Sequence, residues 1–282
     1  MAVTTLFDRV VRRAYSYTHK PHFATPDVQI GENVSFGRNV VFNCKRIRIG
    51  DGCVFGDDIH IECETFEIGD YATIYQGCFF PGPGELRIGH NFWIGSNSIV
   101  DAKGGTVIGN NVGIGAHSQL WTHMVFGDVM AGCRFHSAKP LEVGDDVWFV
   151  GHCLVSPIKA GPRSLAMLGS LVTKDMKSDH CYAGAPAKDI TENIGPQFQP
   201  TTIEQRLEYM RTKLNEFKER HGMILDKIQV VASAAECTTV SKGMTVFNVA
   251  DRTYTKRGGK MEYGLMRFLL PDAKFVPVVP IL

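Results

Sequence analysis

The sequence predicts an all-β parallel β-helix built from hexapeptide repeats, with an N-terminal capping helix and a small C-terminal α+β domain. Three observations carry this. An aliphatic residue and Gly, followed by a polar residue, recur at Ile30-Gly31, Ile49-Gly50, Ile68-Gly69, Ile88-Gly89 and Ile108-Gly109, in steps of 19, 19, 20 and 20 residues. A second copy sits six residues further on at Phe55-Gly56, Ile94-Gly95 and Ile114-Gly115. A six-residue unit nested in a period of three units is the pattern of a parallel β-helix. After Ile190 the rhythm stops, and apolar residues then recur every three or four positions.

Each unit has a physical reading. The aliphatic residue points inward, and the Gly lets the backbone lie close to a neighbouring coil. Pairs such as Asp57-Asp58, Asn110-Asn111 and Asp145-Asp146 supply corners, because short polar side chains tolerate left-handed backbone. Steps of 19 or 20, where three hexapeptides give 18, imply one or two extra residues at a corner of each coil. A β-sandwich also spaces short strands regularly, but it does not repeat an Ile-Gly-polar triplet in register.

The first 26 residues are assigned to the cap. Leu6, Val10 and Tyr17, with Phe7, Val11 and Ala14, fall at helical spacing beside Arg9, Arg12 and Arg13. A helix covering the first coil is expected, with a membrane-surface helix as the alternative. Repeats then occupy residues 27–192, with two interruptions. Residues 77–86 contain Pro81-Gly82-Pro83-Gly84 and are expected to protrude as a loop. Residues 121–140 lack the six-residue rhythm altogether. A linker at 193–200 leads to the α+β domain at 201–282, where Ile203, Leu207, Met210, Leu214 and Phe217 predict an amphipathic helix. Thr201 or Thr202 would cap that helix and Gly222 would stop it. Strands are expected over 227–233 and 245–249, and the basic stretch 252–260, with Gly258-Gly259, reads as a solvated hairpin tip rather than an anion site.

Composition sets bounds. A chain of 282 residues that is 44% hydrophobic buries a sizeable core, and a net charge of +1 argues against general nucleic-acid binding. Eight cysteines without a CxxC pair suit a reducing cytoplasm. No apolar run reaches the roughly 18 residues of a membrane span, and no signal-peptide pattern opens the chain.

A β-helix presents smooth faces, so chemistry is expected where the chain leaves the prism. The interruption at 121–140 begins Trp121-Thr122-His123. A His titrates near neutrality and removes a proton from a hydroxyl or ammonium group when a second group holds its tautomer. His117, His136 and His152 are further candidates on composition. A metal site formed by His117, His123 and a third His lacks the spacing of a helical zinc pair, and no metal is expected.

The run Ile108-Gly109-Asn110-Asn111-Val112-Gly113-Ile114-Gly115-Ala116-His117, then His123, then Ala138-Lys139-Pro140-Leu141-Glu142-Val143-Gly144-Asp145-Asp146-Val147-Trp148, resembles the hexapeptide-repeat acyltransferases, in their sugar and antibiotic O-acetyltransferase branch. Leu168-Gly169-Ser170-Leu171-Val172-Thr173-Lys174-Asp175 and Tyr182-Ala183-Gly184-Ala185-Pro186-Ala187-Lys188 resemble that family's final coil. The resemblance covers about residues 27–192. It implies a left-handed β-helix, a homotrimer with sites between neighbouring prisms, acetyl-CoA or another acyl-CoA as co-substrate, and a sugar-like acceptor. His123 matches the family's catalytic base. Trp148, Gly151, Leu168 and Gly169 match the edge along the pantetheine arm, Thr173 and Lys174 match coenzyme A contacts, and Lys188 stands near the nucleotide phosphates where the family often has Arg.

Two departures set further expectations. Phe149-Val150 and the stretch 155–163 break the repeat after Trp148, so an irregular coil and an altered coenzyme groove are expected. Met124, Phe126, Met130 and Phe135 make the segment after His123 more apolar than a sugar site needs. That segment would wall a neighbouring subunit's site or admit an acyl group larger than acetyl. Two other readings of the chain are a non-catalytic assembly scaffold and a metal-dependent lyase of the carbonic anhydrase type.

Overall fold

The computed structural model describes residues 19–222, 225–237 and 243–278. The expected cap helix falls on residues outside these. The chain divides into two compact units, Met1–Phe198 and Gln199–Leu282.

The first unit is a parallel β-helix with three faces. The first face stacks Val28–Ile30, Glu85–Ile88, Thr106–Ile108, Leu141–Val143 and Lys159–Ala160. The second runs from Ser35–Phe36 through Val54–Phe55, Thr73–Ile74, Trp93–Ile94, Gly113–Ile114, Trp148–Phe149 and Leu165–Ala166 to Cys181–Ala183. The third stacks Phe79–Phe80, Ile99–Val100, Gln119–Leu120, Leu154–Val155 and Leu171–Val172. Stacking already begins at His22–Phe23, which pairs with Val41 and Phe42 on the third face, inside the segment assigned from sequence to the cap.

Registers explain the repeat. Ile68, Ile88, Ile108, Val143 and Ala160 lie opposite one another in turn, as do Ile74, Ile94, Ile114, Phe149 and Ala166. All are buried, so the aliphatic member of each unit forms a continuous column in the core. At the corner between first and second faces, Asn111, Asp146 and Asn91 take φ of 60°, 58° and 58°, the left-handed conformation that short polar residues tolerate. Corner side chains also cap the coil before them. Asp51 Oδ1 accepts from the Glu32 amide at 2.7 Å, and Asn110 Oδ1 accepts from the His90 amide at 2.9 Å.

The extra residues of each coil all sit at one corner. Ile88 to Ile94 and Ile94 to Val100 are steps of six, whereas Val100 to Ile108 is a step of eight across the corner between third and first faces. In the early coils that corner is a continuous strand, Val41–Ile49 and then His60–Ile68. The interruption at 121–140 leaves the prism at this same corner, between Gln119–Leu120 and Leu141–Val143.

Two sequence expectations are corrected. Residues 77–86 do not protrude. Phe79–Phe80 and Glu85–Ile88 are coil strands with Phe80 and Leu86 fully buried, and Pro81 to Gly84 make a tight corner. Proline is tolerated there because Pro81 still offers its carbonyl, to the Ala102 amide at 2.6 Å, where a donor is not needed. Nor is the coil after Gly151 irregular. Val143 faces Ala160, Phe149 faces Ala166 and Val155 faces Val172, a 17-residue coil shortened only at the third corner. Ile158 fills the core position that the missing repeat residue would hold, at 3% exposure.

The second unit is mixed α/β. The helix Ile203–His221 starts at Thr202, whose hydroxyl accepts from the Gln205 amide while the Gln205 side chain accepts from the Thr202 amide, a reciprocal capping box. It stops at Gly222 with φ of 62°. Ile228–Val231, Thr245–Asn248, Thr253–Thr255 and Val276–Val278 form one sheet in that order. The basic stretch 252–260 is not a hairpin tip. It contains the strand Thr253–Thr255 and turns into the helix Lys260–Leu269. The buried Glu262 carboxylate accepts from the Arg257 and Gly258 amides at 2.9 and 3.1 Å, which fills the turn with the protein's own anion.

Candidate active site

The site grows from the long corner. Asp101 follows the strand Ile99–Val100, and its amide is tied to the Leu120 carbonyl at 2.9 Å. One coil on, the same corner carries Trp121, Thr122 and His123. Asp101 is fully buried. A buried carboxylate needs partners for its lone pairs, and four donors supply them. Oδ2 accepts from the Thr122 amide at 2.8 Å, the Thr122 hydroxyl at 2.5 Å and His123 Nδ1 at 2.6 Å, and Oδ1 accepts from the Lys103 amide at 3.1 Å. Burial pushes the Asp101 pKa up, but the bonds from Thr122, Lys103 and His123 outweigh it and hold the carboxyl below its ordinary value.

An ionised Asp101 fixes the tautomer of its neighbour. Nδ1 of His123 must be the donor, so the neutral ring carries its lone pair on Nε2. The side chain is 24% exposed, and Nε2 is the nitrogen left open to an incoming group. Trp121 packs edge-on against the ring with centroids 6.0 Å apart, and its own Nε1 donates to Gln119 at 3.0 Å. The chain beyond is held at its base, where His123–Met124 pairs antiparallel with Ser137–Ala138 and the Lys139 amide donates to the Thr122 carbonyl at 2.9 Å. Between these stems the arm exposes Met124, Phe126, Val129, Met130 and Phe135, Phe126 completely.

The other predicted residues fall in two places. Thr173 and Lys174 leave the strand Leu171–Val172 at the corner that carries His123. Leu120, Val155 and Val172 stack in register, so Thr173 lies two coils from Trp121, roughly 10 Å at the usual strand spacing. Trp148 stands on the second face, half-exposed, with its ring over Gly113. Gly151, Leu168 and Gly169 share the next corner, where the Gly169 amide donates to the Gly151 carbonyl at 2.9 Å. Gly151 has φ of 152°, and a Cβ there would press on Leu168 at 3.2 Å. Lys188 pairs with Ala183 at the end of the second face. Lys174 and Lys188 are exposed and form no ion pair with a described residue.

The remaining His candidates lie elsewhere. His117 and His152 stack on each other at 5.0 Å on the Gly151 corner, and His136 is exposed on the arm. Among the described residues, no group of three His, Cys, Asp or Glu side chains is placed to hold a metal ion. Sequence reading missed Asp101 and Thr122. The available signal was an acid closing an Ile-Val strand one coil before the His, at the corner where the coil exceeds three hexapeptides.

No family model matches the chain. Over 124 residues it is 28% identical to the galactoside O-acetyltransferase of Escherichia coli (strain K12), a match covering 43% of this chain and 61% of that enzyme. Over 110 residues it is 32% identical to a putative acetyltransferase of Saccharomyces cerevisiae, covering 38% of this chain and 55% of that protein. The repeat region is similar to the hexapeptide-repeat acetyltransferases. The chain thus spans about three fifths of the first curated relative and little more than half of the second. The fold of this hexapeptide-repeat chain is like that of the polysialic acid O-acetyltransferase OatWY, with a TM-score of 0.54 at 17% identity over 70% of this chain and 99% of that one. No helix among the described residues is long and apolar enough to cross a membrane.

Proposed function

We propose that this protein is a coenzyme A-dependent acyltransferase that moves an acetyl group to a hydroxyl or amine of a sugar, nucleotide sugar or similar small polar acceptor. The observation that carries this is His123, its Nδ1 bonded to buried Asp101 at 2.6 Å and its Nε2 open. Relatedness to sugar O-acetyltransferases supports the choice of donor and acceptor.

The chemistry follows from the geometry. Nε2 takes the acceptor proton as the acceptor oxygen or nitrogen attacks the thioester carbonyl, and Asp101 stabilises the imidazolium that forms. The tetrahedral intermediate collapses, the carbon–sulfur bond breaks, and the proton passes to the departing thiolate. Transfer is direct, so no protein nucleophile is required. Thr173, Lys174 and Lys188 are the residues we assign to the coenzyme's polar end, and Trp148, Gly151, Leu168 and Gly169 to its pantetheine arm. The proposal includes a left-handed coil, a cytoplasmic homotrimer with sites between prisms, a catalytic domain over 27–192 and a separate domain beyond the linker at 193–200.

The test is acyl-CoA consumption against a panel of sugars and nucleotide sugars. His123→Ala is expected to lower turnover by about 100-fold or more while leaving acetyl-CoA binding nearly intact. An unchanged rate removes His123 from the mechanism. Calorimetric titration that finds no saturable acetyl-CoA binding would favour a scaffold instead.

A further inference from the structure

Thr122 bonds in four directions at once, and none of its bonds reaches the space where an acceptor would sit. Its amide and its hydroxyl both donate to Asp101 Oδ2, at 2.8 and 2.5 Å. The hydroxyl oxygen also accepts from the Gly104 amide at 2.9 Å, and the Thr122 carbonyl accepts from the Lys139 amide at 2.9 Å. The residue is fully buried. It therefore joins the carboxylate that holds His123, the turn beneath that carboxylate and the strand that returns from the arm.

We propose that Thr122 is a positioning residue that sets the basicity of His123 through Asp101. This rests on the reading of His123 as the general base. Oδ2 is shared between the Thr122 hydroxyl and His123 Nδ1, so the two donors compete for one oxygen. A strong neutral donor on that oxygen spreads its charge and weakens its pull on the imidazolium. Without the hydroxyl, the Thr122 and Lys103 amides still clamp the carboxylate, and Oδ2 becomes a better partner for protonated His123. The hydroxyl thus limits how strongly Asp101 can hold the protonated ring.

Other charges around the ring are accounted for. The ionisable side chains on the packed elements are Asp101 and Lys103 on the corner, Lys139 on the returning strand, and Asp128, Cys133, Arg134 and His136 on the arm. Asp101 is the one bonded to the His123 ring.

Thr122→Val removes the hydroxyl at nearly constant volume, and Thr122→Ser restores it. The first readout is NMR titration of His123 in the intact chain, which needs no acceptor. In Thr122→Val the midpoint is expected to rise by about half a pH unit, with Nδ1 still protonated in the neutral ring. Thr122→Ser should return the midpoint to the wild-type value. The second readout is the pH profile of kcat/KM, whose acid limb should move by the same amount, with kcat falling about fivefold. A midpoint in Thr122→Val that stays in place or falls overturns the proposal, as does a Ser variant that behaves like Val. If Thr122→Val unfolds, the proposal stands or falls on Thr122→Ser against Thr122→Cys, whose weaker donor must give an intermediate rise. Failure of the acyltransferase reading would show separately, as absent transfer by the wild-type protein with the His123 titration still responding to Thr122.

Discussion

Asp101 and His123 are 22 positions apart in sequence, yet their side chains meet at 2.6 Å because one coil of the β-helix carries the chain back to the same corner. Asp101→Asn is expected to lower turnover on the order of 100-fold, toward the low end of what general-base catalysis contributes. The reason is charge, since a neutral amide no longer stabilises the imidazolium that forms on His123. If the amide oxygen replaces Oδ2, the new NH2 also faces the Lys103 amide donor, and one of the four bonds is lost. Steady-state kinetics checks this, with KM for acetyl-CoA expected to stay within about twofold of wild type.

Lys174→Ala and Lys188→Ala should act on the coenzyme and leave the chemical step alone. Each is expected to raise KM for acetyl-CoA about tenfold, the loss of one exposed charge-assisted bond, with kcat little changed. The effect should shrink in high salt, because exposed charges are screened. Dephospho-coenzyme donors compared in both variants show which Lys meets which phosphate.

Gly115→Ala tests the stacking. A Cβ at Gly115 would overlap the Val150 carbonyl oxygen of the next coil, and backbone cannot rotate aside as a side chain would. A loss of about 3 kcal/mol is expected, read as a melting temperature lower by several degrees. Gly132→Ala, on the arm with open space around it, is the control, its φ of 87° carrying only the strain of a left-handed residue.

Acid should loosen the last strand of the prism. Asp189 is held down to about 2 by the Thr191 hydroxyl and amide, with His180 adding a third bond at 2.6 Å. A carboxylate depressed in the folded state stabilises it above the unfolded pKa of about 4, and that contribution is lost as pH falls toward 2. The melting temperatures of wild type and Asp189→Asn should therefore differ most near pH 6 and converge between about pH 4 and pH 2. A constant gap across that window would refute the assignment.

Some of this was legible from residues alone. Ile-Gly in register specifies inward columns and tight corners wherever it occurs, since every coil repeats the same local problem and solves it with the same residues. The helix after Thr202 was equally plain, because its cap, apolar spacing and stop are all local. The errors came where local and stacked signals disagree. Pro81-Gly82-Pro83-Gly84 reads as a loop by composition, yet Phe80 and Leu86 on either side are anchored by neighbouring coils. The stretch 155–163 lacks the repeat wording, yet Ile158 reaches the core and the coil closes.

The sequence by itself determined the prism, the place where its rhythm lapses and the His that stands there, because these are properties of short segments read in order. Only the tertiary structure decided what that His can do. Asp101 and Thr122 belong to different coils, and their meeting depends on the length of the third corner. No local pattern encodes that distance, since it is set by how many residues each coil spends before the next one stacks upon it.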